Sequence, residues 1–190
     1  MSRFVEQAIE RAGLGAIFDI RKTGDLAQIA GVLDAAAPVD ILILGALADA
    51  LRATEADDVV HIHPDAAPAV LWVAKGESEL DLLFAVARAR ITGPRHARIG
   101  VDWGAIGMEL AQVALGFGAT DLTGPITRKN GALISEDDLK KVKGQGMVHA
   151  TALKRKEIAA LLRNAGRECV FTDEPAIPAR AHDTEAVTNV

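Results

Sequence analysis

The chain has 190 residues, of which 49% are hydrophobic, and its 21 basic and 26 acidic side chains give a formal net charge of −5. This length and composition indicate a globular protein with a sizeable core and exclude a disordered chain. The acidic balance argues against nucleic acid as the main partner, and no apolar run reaches the roughly 20 residues that cross a bilayer. The first residues also lack an apolar signal-peptide core, so we expect no membrane insertion and a cytoplasmic location.

The first 55 residues predict helices around one short strand. Apolar spacing predicts a helix through Ala12, an apolar strand at residues 16–20, and a second helix that begins after Thr23 as its N-cap. Pro38 separates this unit from the next helix. In that helix the side chains at positions i, i+3, i+4 and i+7 predict one buried face, formed by Leu44, Leu47, Ala48 and Leu51.

Two strands and a capped helix follow. Residues 59–63 and 69–73 are rich in apolar and β-branched side chains, and the turn with Pro and Asp between them favours a β-hairpin. Ser78 and Asp81 have the spacing of a capping box, which predicts a helix that ends at Gly93-Pro94. The predicted inner stripe of this helix consists of Leu80, Leu83, Phe84 and Ala87.

The second half predicts a strand–helix unit and two more helices. Residues 97–103 have the pattern of a buried strand, and residues 104–118 form a helix by the period of Ile106, Leu110, Val113, Ala114 and Phe117. After a loop at residues 124–131, Ser135 and Asp138 mark a capped helix. The last helix is predicted by Ile158, Leu161, Leu162 and Ala165, and a final strand covers residues 168–172.

The alternation of strands and helices favours an α/β fold with a small mixed or parallel sheet and packed helices. We predict a single domain at residues 1–172. Residues 173–190 carry prolines and charges without an apolar period, which predicts a flexible C-terminal tail or an arm on a neighbour. A complete eight-stranded α/β barrel is excluded, because such barrels need roughly 200 residues or more.

Three segments resemble parts of one enzyme family. Residues 101–125, VDWGAIGMELAQVALGFGATDLTGP, contain a helix that leads into the turn GATDL. They resemble the C-terminal region of the radical-SAM enzymes of the futalosine route to menaquinone and of the related enzymes of deazaflavin biosynthesis, in which the turn is GADDL-like. Residues 41–64, ILILGALADALRATEADDVVHIHP, resemble the approach to the barrel in the same enzymes, and residues 152–173 resemble their closing helix and strand.

The resemblance implies a partial barrel without the family's reactive centre. Those enzymes hold an iron–sulfur cluster on three cysteines, whereas this sequence has one, Cys169, and none at residues 65–76, where the cysteines would follow. We therefore expect no cofactor. The exposed edges of a partial barrel need a partner.

Three functions stay open at this point. The resemblance favours a non-catalytic or partner-dependent accessory protein, a pseudoenzyme that forms a homo-oligomer or docks on a larger subunit. The second possibility is a cluster-independent enzyme or binding protein for a small polar or quinone-precursor metabolite. The third is a structural subunit of an unrelated assembly.

The candidate ligand-binding residues lie around the loop after the family-like helix. In the resembled enzymes this loop is close to the barrel mouth, which implies a polar ligand at Asp121, Thr123 and Arg128. Trp103 is a candidate stacking surface, and for the enzyme alternative Asp102, Asp121 and the histidines are the candidates for acid–base work. The alternative is that Asp121 and Thr123 cap turns and that Trp103 only packs. The sequence also has Gly124-Pro125 where the family has a Gly-Thr pair, which weakens the transferred role.

Histidines offer a weaker metal hypothesis. His61 and His63 are two apart on a predicted strand, so their side chains share one face. A third ligand would have to come from Asp65 or His96, whose spacing follows no metal motif. We therefore predict no metal site.

Three further patterns have simple structural explanations. Cys169 is two residues from Arg167, whose charge would lower a thiol pKa, but a buried thiol that packs as a hydrophobe is the favoured interpretation. Gly144-Gln145-Gly146 lacks the full glycine spacing of a phosphate loop. A solvated helix face without stacking aromatics, rather than an RNA site, is predicted for the basic cluster of Lys140, Lys141, Lys143, Lys154, Arg155 and Lys156.

Overall fold

A computed structural model describes residues 2–36, 38–127, 139–142, 146–149 and 152–173 and shows the predicted α/β fold. The helices are α1 (Arg3–Arg11), α2 (Ile17–Thr23), α3 (Leu26–Ala36), α4 (Ile41–Glu55), α5 (Glu79–Thr92), α6 (Trp103–Ile106), α7 (Met108–Leu115) and α8 (Arg155–Asn164). The strands are β1 (Val59–His63), β2 (Leu71–Trp72), β3 (Ile99–Asp102), β4 (Asp121–Thr123), β5 (Leu139–Val142), β6 (Gly146–His149) and β7 (Glu168–Phe171).

The main sheet is parallel and has the strand order β2-β3-β4-β1-β7. β5 and β6 form a separate antiparallel pair. The predicted hairpin is wrong, because β2 pairs with β3 and lies at the edge of the sheet, whereas β1 lies between β4 and β7. Among the residues that the structure describes, no helix is long and apolar enough to cross a membrane.

The connections place the helices on one face of the sheet. β2, β3 and β4 are neighbours, and α5, α6 and α7 connect them in one direction, so right-handed crossovers bring these helices to the same face. Gln112 of α7 donates its side-chain amide to the Leu161 carbonyl of α8 at 2.8 Å, which holds α8 beside them. The covered face carries the core side chains of the strands, namely Val60, Ile62, Ile99, Val101 and Leu122.

The N-terminal elements differ from their prediction. The strand predicted at residues 16–20 is wrong, because residues 17–23 form the helix α2. Ile17 and Ile20 are both buried because they lie on the same side of this helix. Thr23 is the last residue of α2, and its hydroxyl donates to the Ile20 carbonyl at 2.8 Å. Its predicted role as N-cap is therefore wrong. Asp25 takes that role for α3, because its carboxylate accepts the Gln28 N–H at 3.0 Å.

The helices α4 and α5 form the main part of the core. The predicted face of α4 is buried, and the capping box at the start of α5 is confirmed. The predicted inner stripe of α5 is partly wrong, since Leu80 and Phe84 are exposed. Because α5 packs against both α4 and the sheet, its buried stripe is instead formed by Leu82, Leu83, Val86, Ala87, Arg90 and Ile91.

The second half contains two corrections. The helix predicted at residues 104–118 is two helices, which meet at Gly107 with a φ of +87°. β4 has only three residues, which is too short for a strand pattern, and its first two residues were predicted as part of a turn. The helix predicted to begin at Ser135 is wrong over residues 139–142, which form the strand β5. Residues 135–138 lie outside the residues that the structure describes. The last helix and the final strand are confirmed as α8 and β7, and the tail predicted at residues 173–190 lies outside the described residues except for Asp173.

Two buried arginines join the helices at the amino edge of the sheet. Arg21 of α2 forms an ion pair with Glu55 at the end of α4, and it donates to the Ile91 carbonyl at 3.1 Å. Arg90 donates its Nε to the Gly118 carbonyl at 3.0 Å, and burial lowers the pKa of this guanidinium to about 10. These contacts fix the helices against the turns that lead into the strands.

Candidate functional site

The face of the sheet opposite the helices is polar. Residues paired in register in a parallel sheet project to the same face, so two rows of side chains run across β2, β3, β4 and β1. The first row is Trp72, Gly100, Asp121 and His61, and the second is Asp102, Thr123 and His63. The shared face predicted for His61 and His63 is confirmed.

Asp121 is the centre of this face. Its carboxylate is fully buried and accepts hydrogen bonds from three side chains. His63 Nε2 lies 2.7 Å from Oδ1, and the Thr120 hydroxyl donates to Oδ2 at 2.7 Å. Arg98 donates to both oxygens and forms an ion pair with Oδ1. The four bonds saturate the carboxylate and compensate the burial of its charge.

His63 is held by the same contacts. Its side chain is 6% exposed, and its Nε2 lies 2.7 Å from Asp121 Oδ1 and 3.1 Å from Arg98 Nη2. The second ring nitrogen, Nδ1, lies 3.2 Å from the hydroxyl of Thr172, just after β7. His61 is separate from this cluster, since its Nε2 lies 3.7 Å from Asp57. Within the described ranges, no group of three or more His, Cys, Asp or Glu side chains is placed to hold a metal ion.

Trp72 covers the polar cluster. Its indole N–H donates to the Ala67 carbonyl at 2.9 Å, and its ring meets that of His63 edge-on with centroids 5.7 Å apart. The Trp72 ring also lies against Gly100, where an added Cβ would be 2.3 Å from it. The absence of a side chain at this position lets the ring lie across β3. Arg98 keeps 39% of its side chain exposed at the margin of this cover.

A cleft lies at the carboxyl ends of the strands, where open parallel sheets usually bind their ligands. One part of about 500 Å³ is lined by Asp65, Asp102, Thr123 and Gly124. The adjoining part of about 270 Å³ shares Asp102 and Thr123 and adds Trp72, Lys75 and Ile106. The cleft therefore combines an exposed ammonium, two carboxylates and an apolar wall.

The strand ends fix the polar residues of the cleft. Asp102 ends β3, is exposed, and accepts the Gly104 N–H at 2.8 Å as the N-cap of α6. Thr123 ends β4 and donates its hydroxyl to the His63 carbonyl at 3.1 Å. The cleft is thus connected to the cluster of Asp121, His63 and Arg98 through both Thr123 and Trp72.

The five predicted ligand-binding residues occupy different places. Asp102 and Thr123 line the cleft, whereas Asp121 lies beneath the surface with its oxygens occupied. Trp103 is fully buried, and its ring packs against the backbone of Gly124, so it offers no stacking surface to a ligand. Arg128 lies outside the described residues.

Sequence reasoning did not find Arg98, Trp72, Lys75 or Thr172 as site residues. Each lies at or near the end of a strand, and their association depends on the strand order rather than on spacing along the chain. One feature of the sequence indicated this polar face, the alternation of side chains along the predicted strand that places His61 and His63 on the same side.

Cys169 is not an activated thiol. Burial and the charge of Glu168 raise its pKa, and Arg163 lowers it less. Arg167, predicted as a possible activating group, instead donates to Asp49 and Asp58 at 2.8 and 2.7 Å. Cys169 packs against the core, as predicted for a thiol that acts as a hydrophobic side chain.

The basic cluster is not a single helix face. Lys140 and Lys141 lie in β5, Lys154 caps α8, and Lys143 lies outside the described residues. Arg155 forms an ion pair with Asp173 at 2.6 Å. Of the glycine-rich fragment at residues 144–146, the structure describes only Gly146, the first residue of β6.

Comparison with known proteins gives no relative. No protein-family model matches the chain, and no curated protein and no solved structure is significantly similar to it. From its fold and site, the protein is an α/β protein with a parallel sheet, helices on one face of that sheet and a buried polar cluster on the other.

The contact between Gly100 and Trp72 leads to a prediction about the cover. In Gly100→Ala the new methyl group displaces the Trp72 ring, so we expect increased acrylamide quenching of tryptophan fluorescence and a loss of about 1–3 kcal/mol in the free energy of unfolding. Trp103 contributes a constant background because it is fully buried.

Gly31→Ala is the matched control, since nothing lies within 4 Å of its added Cβ in α3. It should leave the quenching unchanged and stabilise the helix by about 0.5–1 kcal/mol. Unchanged quenching in Gly100→Ala would show that Trp72 does not cover the cluster.

Proposed function

We propose that the protein binds a small polar metabolite in the cleft at the carboxyl edge of its parallel sheet, without an iron–sulfur cluster. The observation that carries this proposal is the convergence of Lys75, Asp102 and Thr123 on one cleft. Charged groups that face a common space without filling it are available to a ligand. The volumes of about 500 and 270 Å³ are of the size that small-molecule sites have.

The charges of the cleft suggest the class of ligand. The Lys75 ammonium attracts a carboxylate or another anionic group, and Asp102 and Asp65 accept hydrogen bonds from hydroxyl or amino groups. Ile106 supplies an apolar contact beside the Trp72 ring. A hydroxylated carboxylic acid with a short ring or chain has this combination, and quinone precursors with a carboxylate belong to the same chemical class.

The cluster beneath the cleft supports its geometry. Asp121 binds Arg98, the residue directly before β3, and His63, the last residue of β1, so it fixes the relative positions of these strands. Rigid strand ends hold Asp102 and Thr123 at a constant separation. A site of this kind loses little conformational entropy when a ligand binds.

Ligand-dependent unfolding tests the proposal. We expect 4-hydroxybenzoate or a related hydroxy acid to raise the melting temperature, because a ligand at about 100 times its Kd stabilises the folded state by about 2.7 kcal/mol. Asp102→Asn keeps the cap of α6 but removes the charge, and Lys75→Met removes the cation. Both variants should fold normally and lose most of the shift.

Lys22→Met is the matched control, because Lys22 forms an exposed ion pair with Asp19 far from the cleft in sequence. It should retain the full shift. The proposal would be wrong if no hydroxy acid in the panel changed the melting temperature, or if the double variant of Asp102 and Lys75 responded like the wild type.

A second candidate function is that of a partner-dependent relative of the radical-SAM enzymes of menaquinone or deazaflavin biosynthesis. Parallel sheets are usually covered on both faces, whereas the helices connecting β2, β3 and β4 lie on one. The edge strands β2 and β7 carry the exposed apolar side chains Leu71 and Val170. The three resembling segments also supply α4, β1, β4, α8 and β7, of which β4, β1 and β7 are neighbours.

This candidate predicts a stable assembly. We expect light scattering to give a mass above that of the 20.0 kDa monomer at micromolar concentration, or a pull-down from native cells to recover a cluster-bearing radical-SAM subunit. A monomer without that subunit would contradict it. Recovery of proteins unrelated to biosynthesis would favour a structural subunit of another assembly.

A further inference from the structure

We propose that Thr172, His63 and Asp121 form a nucleophile, a general base and a positioning carboxylate for acyl transfer from ester substrates. This activity does not depend on ligand binding in the carboxyl-edge cleft. The proposal rests on three side chains from β4, β1 and the end of β7, which the parallel sheet joins in one hydrogen-bonded chain.

The histidine has the required orientation. With the ring proton on Nε2, which lies 2.7 Å from Asp121 Oδ1, the unprotonated Nδ1 faces the Thr172 hydroxyl at 3.2 Å. A base that is hydrogen-bonded to a hydroxyl on one side and oriented by a carboxylate on the other is the general arrangement of an activated nucleophile. Asp121 cannot rotate away from His63, because Arg98 and Thr120 bind the same carboxylate.

Thr172 is the part of this chain that a substrate can reach. It is exposed, whereas His63 and Asp121 are buried. Its backbone N–H donates to the Ile62 carbonyl at 2.9 Å, which fixes it beside the end of β1. Its hydroxyl has two acceptors at the same distance of 3.2 Å, the Ile62 carbonyl and His63 Nδ1. A rotation of the hydroxyl proton therefore selects between a structural and a reactive hydrogen bond.

The reaction needs no further co-reactant than water. Thr172 Oγ1 forms a bond to the carbonyl carbon of the ester while its proton moves to His63 Nδ1. The bond from that carbon to the alcohol oxygen breaks, and His63 returns the proton to the departing oxygen. Water then attacks the acyl-threonine with His63 as the base, which releases the acid and restores the hydroxyl of Thr172.

Hydrolysis of p-nitrophenyl acetate by the full chain, combined with peptide mass spectrometry, tests this proposal. We expect release of p-nitrophenol above the buffer rate and an acetyl group on the peptide that contains Thr172. Thr172→Val should reduce the rate by about a hundredfold or more, because the isosteric side chain has no hydroxyl. Thr172→Ser keeps the hydroxyl and should retain both the acetyl adduct and the turnover.

His63→Gln and Asp121→Asn separate the remaining roles. His63→Gln removes the base and should reduce the rate as strongly as Thr172→Val. Asp121→Asn should lower kcat with an unchanged KM, and Asp121→Glu should restore part of kcat, because Asp121 acts through His63 and does not touch the substrate.

Thr92→Val is the matched control, since the Thr92 hydroxyl also donates to a main-chain carbonyl, that of Arg88 at 2.9 Å. It should leave the rate unchanged. The proposal is overturned if the wild type does not exceed the buffer rate, if acetyl groups appear only on other residues, or if Thr172→Val hydrolyses the ester at the wild-type rate.

Discussion

The buried carboxylate of Asp121 is the constraint on which the polar half of the molecule depends. A fully buried charge is tolerated only when hydrogen bonds and an opposite charge replace its hydration, and Arg98, His63 and Thr120 provide both. These donors are the residue before β3, the last residue of β1 and the residue before β4. The carboxylate therefore fixes three neighbouring strands and orients the imidazole, and the Trp72 ring packs edge-on against that imidazole.

The two faces of the sheet carry different kinds of side chains. The helices cover the apolar face and supply most of the core, so stability does not require polar side chains there. The opposite face is free to carry charged and hydrogen-bonding groups, and its rows lead to the cleft at the carboxyl edge. The second row contributes Asp102 and Thr123 to the proposed ligand site and His63 to the proposed acyl-transfer residues.

Local patterns predicted much of the fold and little of the site. The helices α4 and α8 and the strand β1 were predictable, because their apolar periods extend over enough residues to identify one buried face. Residues 16–20 were too few to distinguish a strand from a helix. The order of the strands depends on contacts that are distant in the sequence, so the hairpin was wrong. For the same reason the partners of Asp121 were missed: Asp121 is 23 residues from Arg98 and 58 from His63, and only parallel pairing joins them.

The free energy of unfolding of Asp121→Asn, measured by chemical denaturation, tests whether the buried carboxylate organises the polar face. The amide cannot accept all the hydrogen bonds that the carboxylate accepts, so we expect the free energy of unfolding to fall by at least about 2 kcal/mol. Asp102→Asn, which changes an exposed carboxylate that caps α6, should stay within about 0.5 kcal/mol of the wild type. An Asp121→Asn protein as stable as the wild type would contradict the claim that this carboxylate organises the polar face.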